Sequence, residues 1–186
     1  MKSIDVTIGA VLAILFAMAV LADAALQNPS FEMPDNPEEY TCDRAAAWGR
    51  WGHWINRETG WSPTRSGNCL LGYHHFRIEE QDTSGVYQDV GDIPAGRRCT
   101  FKVNVFKDEG TDVADVELRL EPFNGGEALA STHYDMDSLP AGTWRQLQVS
   151  AKNDAEGVRV LIILTPGTSH ERSGALKFDD AELAAN

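Results

Sequence analysis

The sequence predicts an all-β protein built as a sandwich of two antiparallel sheets with about ten strands. Three observations carry this. Several runs alternate apolar and polar residues with period two, one long run is almost wholly aliphatic, and clusters of glycine and proline punctuate the runs at short intervals. No segment between residues 25 and 186 offers the sustained 3.6-residue apolar stripe that an amphipathic helix needs.

The clearest strand is Val116-Glu117-Leu118-Arg119-Leu120-Glu121, where strict alternation sends one face to a core and the other to water. Thr100 to Phe106 alternates likewise, with Phe101, Val103 and Val105 on one face. Val158 to Thr165 (VRVLIILT) is β-branched and aliphatic throughout most of its length, as a strand buried on both faces would be. Turns are expected at Gly91-Asp92-Ile93-Pro94-Ala95-Gly96, Asn124-Gly125-Gly126, Leu139-Pro140-Ala141-Gly142 and Thr165-Pro166-Gly167, since glycine supplies positive φ and proline presets it. The strands are expected near 28–33, 47–55, 68–76, 84–91, 98–107, 114–123, 128–134, 143–151, 157–165 and 174–183.

The N-terminus reads as a secretory signal. Lys2 precedes an apolar or small-residue stretch from Val6 to Ala22, and Ala22-Asp23-Ala24 is an A-x-A cleavage site, so a mature chain is expected to begin at Ala25. Residues 25–186 then form a single domain, large enough to bury a core without metal or disulfide support. Loss of Lys2, Asp5 and Asp23 moves the formal charge from −12 to −11. So acidic a chain repels nucleic acid and anionic lipid, and no dense Lys/Arg run offers a local exception. Three cysteines, Cys42, Cys69 and Cys99, predict one disulfide and one spare thiol in an oxidising compartment, with all three pairings open. A zinc site is not expected, because C-x-x-C and H-x-x-x-H spacings are absent and His74-His75 would face opposite sides of a strand.

An ordered set of short segments resembles the carbohydrate-binding modules of the family 4/9/22 (CenC-like) type, which have a galactose-binding-like jelly-roll fold. They are Asn28-Pro29-Ser30-Phe31-Glu32, Ser66-Gly67-Asn68-Cys69-Leu70-Leu71, Val86-Tyr87-Gln88-Asp89-Val90, Pro94-Ala95-Gly96 leading into Thr100-Phe101, Gly142-Thr143-Trp144, and Phe178-Asp179-Asp180-Ala181-Glu182-Leu183. The resemblance spans nearly all of residues 25–186 and implies a jelly-roll sandwich. It also implies a structural calcium held by Glu32, by Asp179 or Asp180, and by a carbonyl near Asn68. Two carboxylates from opposite ends of the chain would repel one another without a cation, and calcium favours several oxygen ligands.

A ligand platform is expected where Trp48, Trp51, Trp54 and Trp61 crowd into fourteen residues, which leaves only Trp144 elsewhere. An indole face packs on the C–H face of a sugar ring while its N–H stays available. In one strand Trp48 and Trp54 would share a face opposite Trp51, so core places compete with ligand places. Tyr87, Gln88, Arg50, His53, Asn56, Arg57 and Tyr73 are the expected polar neighbours, and Gln88 offers both a donor and an acceptor. Glu79-Glu80-Gln81-Asp82 reads as a solvated loop. No G-x-S-x-G, H-E-x-x-H or P-loop occurs, and the acids fall on exposed alternate positions or in the expected calcium site, so catalysis is not expected. The function expected is a secreted, non-catalytic module that holds a glycan or polysaccharide. The alternative is a secreted or envelope-associated adhesion or assembly module that binds protein.

Overall fold

The computed structural model describes residues 26–36, 44–77, 79–169 and 173–186; the expected signal segment at 1–24 and Cys42 lie outside the described residues. Ten strands and no helix are found there: β1 (Gly49–Trp51), β2 (Ile55–Thr59), β3 (Cys69–Tyr73), β4 (Ser84–Val90), β5 (Arg98–Lys107), β6 (Val113–Pro122), β7 (Ala130–Asp135), β8 (Trp144–Lys152), β9 (Val158–Pro166) and β10 (Leu176–Ala185). They form two five-stranded antiparallel sheets, ordered β1-β4-β9-β6-β7 and β2-β3-β10-β5-β8. The protein is an all-β jelly-roll sandwich.

The period-two runs fold as their pattern requires. Val116, Leu118 and Leu120 of β6 and Phe101, Val103 and Val105 of β5 point between the sheets and are fully buried. On β9, Val158, Val160, Ile162 and Leu164 join the same core, while Leu161 and Ile163 on the other face are only 7% exposed. A strand central to its sheet and covered on both faces accounts for the aliphatic run.

Two expectations fail at the start of the domain. Residues 28–33 are not a strand. Asn28 and Phe31 have positive φ (49° and 57°), and the Phe31 N–H donates to Asn28 O (3.1 Å), which closes a turn. The Asn28 side chain fixes it by accepting from Met33 N–H (3.0 Å) and donating to Met33 O (2.9 Å) and Ala46 O (3.1 Å). Pro29, which has no N–H to donate, sits in this turn at no cost. Residues 47–55 are not one strand either. Positive φ at Gly52 (74°) and Trp54 (63°) breaks the run into β1 and β2, which belong to different sheets.

Cys69 and Cys99 are not bonded to each other. They stand on β3 and β5 with β10 between them, and Cys99 is paired with Ala185 at the far end of β10. That removes one of the three pairings. Cys99 lies in the core, where burial pushes its thiol up.

Trp48 belongs to the core: it is 4% exposed, lies 5.2 Å from the Phe31 ring, and its indole N–H donates to Asn28 O (3.1 Å). Trp48→Ala should therefore cost about 3–5 kcal/mol of stability, read as a shifted urea midpoint. A variant that melts like the parent would contradict this placement.

Candidate functional site

The outward face of the β1-β4-β9-β6-β7 sheet concentrates aromatic and charged groups. Each aromatic there stands directly opposite a glycine on the neighbouring strand. Gly49 of β1 is the cross-strand partner of Tyr87 of β4, and Trp51 of β1 is the partner of Gly85 of β4. A Cβ on Gly49 would come within 2.3 Å of the Tyr87 ring, and one on Gly85 within 2.3 Å of the Trp51 indole. The two glycines let both rings lie down against the sheet, with centroids 6.3 Å apart. Both rings are half-buried and keep an outward surface.

The same face continues into a charged ladder. Register places Tyr87 beside Leu161 and Arg119, Gly85 beside Ile163 and Glu117, and Asp89 beside Arg159 and Glu121. Arg119 donates to both oxygens of Glu117 (2.7 and 2.8 Å) and to Glu121 (3.3 Å). Arg159 forks onto Asp89 (3.0 and 2.8 Å) and lies over the Tyr87 ring at 4.4 Å. Burial tends to raise the Asp89 carboxyl. The Arg159 hydrogen bonds, the Asn124 N–H and the Arg159 charge outweigh this and hold it below the usual carboxylate range. At the edge, His133 of β7 bonds Asp115 (2.8 Å) and lies near Glu117 (3.9 Å).

The arrangement is a pair of flat apolar faces beside fixed acceptors and donors, with Asp89, Asp115, Glu117, Glu121 and Asp135 set against Arg119 and Arg159. Such a surface can stack a ring and bond its hydroxyls in defined directions. Trp51 and Tyr87 are the expected site residues that meet here. Arg119, Arg159, Asp89, Glu117 and Glu121 were not expected. The alternation in 116–121 marked the face as solvent-side, but nothing local in sequence brings it beside Trp51.

The other expected residues lie elsewhere. Gln88 is 4% exposed between the sheets, where its amide accepts from Gln27 N–H (2.7 Å) and donates to Gln27 O (2.9 Å), so it clamps the entering chain. Trp48 is core, and Trp54 packs at the core's edge against Phe76 (4.8 Å), its indole N–H bonded to Glu80. Glu80 is thus a structural acceptor and not part of a solvated loop. Its carbonyl also accepts from His75 Nε2 (3.0 Å), whose Nδ1 meets Asp112 (2.9 Å) in the interior. Trp61 lies on the outward face of the opposite sheet, over Gly72. Arg50 bonds Asn56, and Arg57 donates to Glu32 O (2.7 and 3.1 Å).

The residues expected to hold calcium do converge, on the turn at 64–68. Glu32 Oε1 accepts the N–H groups of Asn68 and Cys69 (both 3.0 Å). Asp179 Oδ2 accepts those of Arg65 (2.8 Å) and Ser66 (3.0 Å), and its Oδ1 accepts the Asp180 N–H (2.8 Å). Asp180 takes the Ser66 hydroxyl (2.6 Å) and the Arg65 guanidinium (3.1 Å). Burial raises the Asp179 carboxyl, and these N–H bonds offset the rise only in part. Five backbone N–H groups are thus directed at the Glu32 and Asp179 carboxylates. Among the described residues no group of three or more His, Cys, Asp or Glu side chains is placed to hold a metal. In this arrangement the carboxylates of Glu32 and Asp179 are held by amide N–H groups.

Two outcomes follow from this geometry. Glu32→Ala, which leaves two turn N–H groups without their acceptor, should cost about 2 kcal/mol in thermal or urea melts. The loss should be equal with and without a chelator; a loss seen only in calcium would restore the metal. His133 is raised by the Asp115 hydrogen bond, with the Asp115 and Glu117 charges adding and slight desolvation and Arg119 opposing. The fold therefore favours its protonated form, and the contribution is full at low pH and lost as pH rises through the raised value. An NMR titration should find His133 above the ordinary value of about 6.5, and Asp115→Asn should bring it down. A titration unchanged by that substitution would count against the pair.

No protein-family model matches the chain, and no curated protein sequence matches it. Solved structures match in fold. A Stig cyclase from Fischerella sp. TAU, in complex with (3Z)-3-(1-methyl-2-pyrrolidinylidene)-3H-indole, is 14% identical with TM-score 0.65, over 88% of this chain and 97% of that one. TmCBM61 in complex with β-1,4-galactotriose is 15% identical with TM-score 0.59, over 87% and 97%. The arabinose-bound α-L-arabinofuranosidase MgGH51 is 14% identical with TM-score 0.60, over 88% of this chain but 26% of that one. At these identities the likeness is one of fold, and it is shared by catalytic and sugar-binding proteins alike.

Proposed function

We propose that, after export and cleavage following Ala24, this domain acts as a carbohydrate-binding module of the 4/9/22 type. It holds a neutral glycan chain on the outward face of the β1-β4-β9-β6-β7 sheet. The observation that carries the proposal is the reciprocal pairing of Trp51 with Gly85 and Tyr87 with Gly49, which lays two rings flat beside an anchored ladder of charge. Rings held flat by missing Cβ atoms are preorganised, so little side-chain entropy is lost on binding. Carboxylates already fixed by arginines offer their remaining lone pairs to hydroxyls without moving. Their excess over the arginines disfavours anionic ligands. Binding rather than catalysis is supported by the same pairing. General acid work needs a carboxyl whose environment raises it, whereas Asp89 on this face is held low. The sugar-complexed TmCBM61 shows that a relative in fold can hold a neutral oligosaccharide.

Affinity should be modest, millimolar to micromolar, or about −4 to −8 kcal/mol, because hydroxyl–water bonds are exchanged for hydroxyl–protein bonds at little net gain. In affinity electrophoresis against a panel of neutral polysaccharides, Trp51→Ala should weaken retention by about tenfold, some 1.4 kcal/mol, with the melting temperature nearly unchanged. Retention of no polysaccharide by the parent protein would transfer the face to a protein partner. N-terminal sequencing of exported material should begin at Ala25, and an intact Met1 form in membranes would refute cleavage.

A further inference from the structure

We infer that the opposite sheet carries a second, separate sugar site, built from Trp61, Lys177 and Asp108. It is a surface cavity of about 210 Å³, also lined by His74 and Ser173. Its construction repeats the logic of the first face with different residues. Trp61 lies over Gly72 of β3, where a Cβ would come within 2.5 Å of the indole, so a glycine again lets a tryptophan lie flat on a sheet. Gly72 pairs with Lys177 of β10, which lines the same cavity as that ring.

Lys177 has a side chain only 5% exposed, yet its ammonium is anchored: Nζ donates to Asp108 Oδ1 (2.7 Å) and to Ser62 O (2.6 Å). An ammonium has three N–H donors, and these bonds account for two. Asp108 Oδ1 accepts from Lys177 and Oδ2 from the Ala175 N–H (3.1 Å), which leaves each oxygen a lone pair. A buried ammonium, bonded through two of its N–H groups and lying over the Phe106 ring at 5.1 Å, and a partly exposed carboxylate therefore line the same cavity as the Trp61 indole and offer it a donor and an acceptor. Adjacent hydroxyls on a sugar ring match that pair, one accepting from Lys177 and the next donating to Asp108, with the ring's C–H face on Trp61. Because the charges already neutralise one another, the site suits a neutral ring and not a uronate.

The ligand class rests on the sugar-binding reading above, but the site does not depend on the first face, so the two are tested apart. The five tryptophans give indole N–H signals that single Trp→Phe variants assign. The purified protein would be titrated with β-1,4-galactotriose, xylotriose and cellotriose to about 20 mM, which reaches the weak end of expected affinity. At least one of them should shift the Trp61 signal to saturation. That shift should persist in Trp51→Ala, vanish in Trp61→Ala, and need at least about tenfold more sugar in Asp108→Asn, which keeps the shape of the cavity but not its charge. A Trp61 signal that no probe moves while Trp51 responds would overturn the second site and leave the first standing. Movement of Trp61 alone would uphold the second and remove the first, and silence at both would remove both. Tighter binding of glucuronate than of any neutral sugar would overturn the neutral-ring assignment.

Discussion

The corner at Gly52–Trp54 is the constraint on which the remaining arrangement depends. There the chain leaves one sheet and enters the other, within three residues, and only left-handed backbone at Gly52 and Trp54 allows it. Gly52 has no alternative, since a Cβ would come within 2.5 Å of Ser84 Oγ, the same oxygen that accepts the His53 N–H at 2.9 Å. Before the corner, β1 pairs with β4 and throws Trp51 outward; after it, β2 pairs with β3 and drives Ile55 into the core. A straight strand through 47–55 would have placed Trp51 in another sheet's register and lost its glycine partner. The site is thus a consequence of a fold-level turn.

A second constraint ties the two ends of the domain. Glu32 and Asp179, far apart in sequence, each accept two N–H groups of the segment 65–69 that leads into β3. The mutual repulsion of two acids is answered here by the turn's own amides. Like-charged side chains gathered at one turn need compensation from somewhere, and backbone N–H dipoles supply it as readily as a cation would, with opposite geometric demands: amides must point in for the one, carbonyls for the other. Asp180, with φ of 48°, adds the Ser66 and Arg65 contacts at a bulge between Asp179 and Glu182.

How much was legible in the sequence follows from the range of the interactions. The alternation at 116–121 and the aliphatic run at 158–165 are decided by burial along one strand, so β6 and β9 could be placed directly. Asn28 to Phe31 misled because the family resemblance made it an opening strand, whereas the Asn28 amide closes a turn through Met33 and Ala46. Gln88, expected beside the ligand, faces inward with Val86 and Val90, and its partner is Gln27, which no spacing rule connects to it. The tryptophan cluster announced aromatic surface without distributing it. Trp48 went to the core, Trp51 to one outer face, Trp61 to the other and Trp54 to the edge, because sheet membership changes between them.

The glycines at 49, 72 and 85 carried information that the tryptophans alone did not. A glycine inside a strand gives up packing and costs backbone entropy, so its presence there calls for a local reason. In each of these three the reason is an aromatic ring that occupies the volume a side chain would fill. Core aromatics have no such need, since they project between sheets; Trp48 and Phe31 fill the interior without a facing glycine among the contacts that hold them. A ring flattened against the outside of a sheet gains no additional burial by lying there beyond what the neighbouring strand provides. What it gains is orientation, with one face on the backbone and the other kept at a fixed angle to the anchored charges beside it. That division between projecting and flattened rings separates structural from surface-active aromatics in this molecule, and it assigns Trp51 and Tyr87 to one face and Trp61 to the other by the same physical rule.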